Sequence, residues 1–110
     1  MSQSRKRQSN VVDTEVPGLA LETSPEQPKW AIVLAKSGER VLPLLADDAD
    51  AARWVVKQLG DITSWAGGPP DVKDARAKDG VARVYRGLTY PRVASGWTYD
   101  NSRTALFSGG

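Results

Sequence analysis

The fold turns on one continuous stretch, in which Trp30-Ala-Ile-Val-Leu-Ala35, Lys36-Ser-Gly-Glu39 and Arg40-Val-Leu-Pro-Leu-Leu45 lead into a run that starts at Asp47-Asp-Ala-Asp50 and closes at Gly60. The first and third pieces are β-branched and aliphatic, and the second has turn chemistry, so together they predict a β-hairpin with a four-residue connection. Pro43 cannot donate to a ladder, so the second strand is expected at an edge or bulged there. The run that follows predicts the clearest helix. Asp47 or Asp48 caps its start, Asp50 adds negative charge to the first turn, and Gly60 is expected just past its end. Ala52, Val55, Val56, Leu59 and Ile62 recur at three- and four-residue spacing, a stripe that should pack on the hairpin.

Working outward toward the C-terminus, Thr63-Ser-Trp-Ala-Gly-Gly-Pro-Pro70 reads as a loop, because paired glycines and paired prolines oppose regular structure. Asp71 to Lys78 is highly charged and predicts one or two exposed helical turns stopped by Gly80. Val81 to Tyr90 predicts a strand, Gly96-Trp-Thr-Tyr99 another, and Arg103-Thr-Ala-Leu-Phe107 the last, with Asp100-Asn-Ser102 as the turn between the final two. The expectation is an α+β fold: a small mixed or antiparallel sheet in the order β-β-α-β-β-β, with one helix packed on a face.

Toward the N-terminus the composition changes. Residues 1–28 are rich in Ser, Gln, Asn, Thr, Glu and Pro, and Val11, Val12, Val16, Leu19 and Leu21 show no sustained period. This segment predicts a flexible or extended N-terminal arm, with the compact domain confined to 29–110 and roughly 80 residues left to build a core. Val11-Val12 and Leu19-Ala-Leu21 are more apolar than a solvated linker needs, so the arm is expected to order on another surface. Removal of residues 1–28 should then leave the domain folded and weaken partner binding.

Composition excludes much chemistry. The 110 residues contain no cysteine and no histidine. Disulfides, thiolate metal sites, cysteine nucleophiles and the commonest general base are therefore absent from the parts available. What remains is carboxylate or lysine chemistry, or none; the expectation is a non-enzyme without cofactors. The basic start Arg5-Lys6-Arg7 is followed by polar residues rather than an apolar run, and no stretch approaches the roughly 18 apolar residues of a membrane span. The expected compartment is the cytoplasm, or a virion if the chain is viral. Net charge is +2 and the pI about 9.1, a mild excess that does not by itself predict nucleic acid.

Four groups of residues stand out as candidates. Asp47, Asp48 and Asp50 put three carboxylates within four residues, enough to hold a hard cation, although acids at a helix start are first expected to cap it. Arg83, Arg86, Arg92 and Arg103 with Tyr85, Tyr90, Trp97 and Tyr99 predict a basic, aromatic sheet face suited to nucleic acid, to which Arg5, Lys6 and Arg7 add phosphate contacts. The four tryptophans, Trp30, Trp54, Trp65 and Trp97, are many for so small a core, and Trp54 and Trp65 do not easily fit under one helix. At least one is expected to anchor an interface.

The fourth group is the diglycine Gly109-Gly110. A hairpin, a helix, further strands and this ending resemble the ubiquitin-like β-grasp family, including its sulfur-carrier members. The resemblance covers 29–110 in element order and implies a free C-terminus activated for transfer. The tight hairpin expected before the end departs from that family, whose final strand lies in the sheet centre.

Taken together, these features predict a non-catalytic interaction or assembly protein that binds protein subunits, its own or others, through Val11, Val12, Leu19, Leu21 and Trp65. A virion or phage structural subunit fits the pattern, as does an accessory subunit of a cellular complex. The alternatives are a nucleic-acid-binding regulator using Arg83, Tyr85 and Arg86, and the diglycine carrier.

Overall fold

In the computed structural model, residues 10–24, 27–67, 74–100 and 105–107 are described. Among these described residues, five strands and two helices follow one another as β1 (Asn10–Asp13), β2 (Leu19–Ser24), β3 (Gln27–Leu34), β4 (Leu44–Ala46), α1 (Ala49–Ile62), α2 (Ala75–Thr89) and β5 (Trp97–Tyr99). The sheet is an antiparallel meander in the order β1-β2-β3-β4-β5. The fold is α+β, as expected.

The hairpin and first helix form where the sequence places them. The Leu34 amide donates to the Glu39 carbonyl at 2.8 Å and the Val41 amide to the Ile32 carbonyl at 2.9 Å, closing the turn. The ladder then lapses before Pro43 and resumes at β4, where Ala46 pairs with Trp30. Asp48 caps α1 by accepting the Ala51 amide at 2.8 Å. Ala52, Val55, Val56 and Leu59 are all buried, facing Leu19, Leu21, Ile32 and Leu34 on one side of the sheet. Alternate residues Ala20, Ala31, Val33 and Leu45 form a smaller cluster on the opposite face. Gly60 lies inside α1 rather than past its end, and Thr63 is the C-cap.

Two expectations are corrected. First, residues 10–24 of the expected arm supply β1 and β2, and β2 sits between β1 and β3 in the sheet. Leu19 and Leu21 are core residues, at 2% and 0% exposure. Their two-residue spacing is a strand pattern too short to stand out beside Pro17, Gly18 and Pro25. The turn before β2 is built locally. Thr14 Oγ1 accepts the Val16 amide at 3.1 Å and its hydroxyl donates to the Leu19 carbonyl at 2.8 Å. Gly18 adopts φ +93°, and a Cβ there would come within 1.9 Å of the Trp65 carbonyl oxygen, so only glycine fits.

Second, the expected strand Val81–Tyr90 is the body of α2, which runs through Gly80 and Gly87 to Thr89. Ala77, Val81 and Leu88 are buried and Val84 is half-buried, a spacing of four, three and four that is helical. Asp74 caps its start by accepting the Arg76 and Ala77 amides at 3.1 and 3.2 Å. The helix packs on α1 rather than on the sheet.

The expected strand Gly96–Tyr99 is present as β5, pairing Leu44 with Tyr99 and Ala46 with Trp97. Residues 105–107 do not continue a hairpin with it. Ala105 bridges Arg40 in parallel, and the Leu106 and Phe107 amides donate to the Arg40 and Val41 carbonyls. Asn101 and Ser102 of the expected turn, with Arg103, lie outside the described residues. The last described strand, β5, is at the sheet edge, unlike the central final strand of the β-grasp pattern. Among the described residues, no helix is long and apolar enough to cross a membrane.

Candidate functional site

The candidates named from the sequence are scattered by the fold rather than gathered. Arg5, Lys6, Arg7, Gly109 and Gly110 lie outside the described residues. Val11 and Val12 stand exposed on edge strand β1, at 57% and 37%. Leu19 and Leu21 are in the core and present nothing to a partner. Trp65, the expected interface anchor, is 1% exposed: its indole N–H donates to the Leu59 carbonyl at 2.9 Å, and its ring meets Phe107 edge-on at 6.3 Å. A buried, hydrogen-bonded indole of this kind is a core residue, and the expectation for Trp65 is corrected.

The expected sheet face of Arg83, Tyr85 and Arg86 does not exist, because all three are on α2. Arg83 and Arg86 are exposed, and Arg83 pairs with Asp79 one turn earlier at 3.4 Å. Tyr85 turns the other way. Its hydroxyl donates to the Tyr99 hydroxyl at 3.5 Å, and burial, then that hydrogen bond and the neighbouring phenol, push its pKa up to about 12. The acidic trio is dispersed as well. Asp48 is the cap, Asp47 pairs with Lys29 at 2.6 Å, and Asp50 pairs with Arg53 at 3.6 Å. Among the described residues no cluster of acids could hold a metal ion.

What the fold does build is a groove between the helices. Trp54, Gln58, Asp61 and Ile62 of α1 form one wall, and Gly80, Arg83, Val84, Gly87 and Leu88 of α2 form the other, enclosing about 420 Å³. A Cβ on Gly80 would meet the Ile62 side chain at 2.7 Å, so glycine there lets the helices approach. Since Ile62 faces Gly80 while Trp54 and Leu88 share the same groove, the helices run antiparallel, with Trp54 near the Gly87 end.

Trp54 is the feature that sets this surface apart. It is 62% exposed, on a helix whose buried stripe it misses by about a quarter of a turn. That offset is readable in the sequence. Ala52, Val55, Val56 and Leu59 define the sheet-facing side, and Trp54 falls outside it, on the side that α2 only partly covers. Around the indole, Ile62, Val84 and Leu88 supply apolar walls, while Asp61 and Arg83 place one charge of each sign on opposite helices. Asp61 makes no ion pair among the described residues.

No protein-family model, curated protein sequence or solved structure matches this chain.

Proposed function

We propose that the protein is a non-catalytic interaction module, a subunit or accessory of a larger assembly that docks a protein partner in the α1–α2 groove. The observation that carries this reading is the exposure of Trp54 at the rim of an apolar groove. A tryptophan offers roughly 150–250 Å² of surface to a partner, so covering the exposed part of Trp54 stabilises a complex by about 2–4 kcal/mol before ordering costs. Few other side chains supply as much from one position, which is why tryptophan is enriched among interface anchors.

The test is a photo-crosslinking amino acid, p-benzoylphenylalanine, placed at Gln58 on the groove wall in cells of the source organism. The expected result is a discrete protein adduct that disappears when Trp54→Ser is added while circular dichroism stays unchanged. An absence of protein adducts, or adducts indifferent to Trp54→Ser, would overturn the reading.

One observation favours a second reading. Helix α2 carries Arg76, Lys78, Arg83 and Arg86 against Asp79, and all five are exposed. Of these, Arg76, Arg83 and Arg86 lie within about 80° of one another around the helix, a basic side that suits phosphate contacts and replaces the sheet face first expected for Arg83 and Arg86. Under this reading, affinity for a generic duplex falls steeply with salt, and Arg83→Ala with Arg86→Ala reduces the slope. Binding that is absent, or insensitive to salt, removes it.

A further inference from the structure

The partner most closely specified by the groove's own chemistry is a second copy of this chain. We infer that two copies associate face to face about a two-fold axis running along the groove, each Trp54 seating over Gly87 of the other; this inference rests on the interaction reading above.

Three observations converge on it. Rotation about an axis along the groove exchanges α1 for α2 while keeping each end of the groove at the same end. Trp54, at the Gly87 end of its own groove, therefore comes to lie over Gly87 and Leu88 of the other copy. With Ile62 level with Gly80, Asp61 lies about two residues, roughly 3 Å, from the level of Arg83 on the facing helix, so the same rotation brings Asp61 of one copy within side-chain reach of Arg83 of the other, and the reverse. An isologous interface needs this self-complementarity.

Gly87 supplies the third observation. Unlike Gly80, it has no packing reason to be glycine: a Cβ there would meet nothing within 4 Å. Glycine inside a helix is costly relative to alanine, and here the missing side chain leaves open backbone on the groove wall, where a flat indole can lie. The groove's 420 Å³ has room for an aromatic side chain without displacing either helix. A standard interface takes about 800 Å² from each partner, a modest share of the 6614 Å² that one chain exposes.

The experiment is sedimentation equilibrium on the full chain over a wide concentration range, with variants at the contact. The expected result is a mass rising with concentration toward twice the 11.9 kDa of one chain. Trp54→Ser should weaken self-association by about 30-fold or more, the effect of losing an interface hot spot. Gly87→Leu, which fills the seat, should abolish it. Asp61→Arg and Arg83→Glu should each weaken it alone, and the double variant carrying both should regain it, a rescue that misfolding cannot mimic. A chain that stays monomeric at every concentration, or a dimer indifferent to Trp54→Ser and to the charge exchange, overturns the inference. If the Gln58 crosslinker meanwhile captures a different protein in a Trp54-dependent way, the interaction reading survives and only the identity of the partner falls.

Discussion

At the scale of single residues, the interior holds one contact that stability should report strongly. Arg40 and Asp100, sixty positions apart, form an ion pair with 6% and 9% of their side chains exposed. Removing Asp100 leaves the Arg40 guanidinium buried without its carboxylate. Asp100→Ala is therefore expected to lower the unfolding free energy by about 3–5 kcal/mol in urea titration, several times the effect of breaking the exposed Arg83–Asp79 pair. Nothing in the sequence marks this pair, since long-range partners have no period or spacing. Tyr85 gives a pH-dependent prediction. Its folded pKa is raised from 10.0 to about 12, so the fold favours the neutral phenol. The stability it contributes is complete below pH 10.0 and is lost as pH climbs toward about 12. An ultraviolet titration of phenolate should show a late-ionising tyrosine that Tyr85→Phe removes; a wild-type curve unchanged by that substitution would contradict the assignment.

At the scale of elements, the two glycines of α2 should respond in opposite directions to the same change. Gly80→Ala forces a Cβ against Ile62 and should destabilise the packing of α2 on α1. Gly87→Ala meets open space and should raise stability by up to about 1 kcal/mol through helix propensity alone. Thermal melts of the two variants check this, and equal shifts would mean that the helices do not meet as described. The same helix is not legible in the sequence alone. In Val81 to Tyr90 an alternating pattern and a helical one coexist, and Gly80 has the chemistry of a helix stop. The deciding contacts, Ile62 on Gly80 and Val84 and Leu88 along α1, are tertiary. Helix α1 was legible because cap, charge and stripe agree within it, and the β3 hairpin because its turn is local. Helix α1 also held the main clue to the site, in the offset of Trp54 from the buried stripe.

At the scale of the whole molecule, the sheet spans both chain segments, 1–28 and 29–110, that the composition divides. β2 contributes Leu19 and Leu21 to the main core and Ala20 to the opposite cluster, and it pairs with β3 over most of its length. Deleting residues 1–24 should therefore abolish cooperative unfolding rather than release a folded domain, as a flat denaturation curve would show. A cooperative transition in the truncated chain would contradict the placement of β2. The α1–α2 groove, whose described walls offer one carboxylate and one guanidinium beside the exposed Trp54, is the surface that the proposed function has a partner bury. The most direct test of that claim is hydroxyl-radical footprinting of the chain in its native cells, compared with dilute purified protein. The account predicts that Trp54 is readily oxidised in the dilute protein and protected in the cell, while buried Trp65 is protected in both. Trp54 oxidised equally in both settings would contradict it.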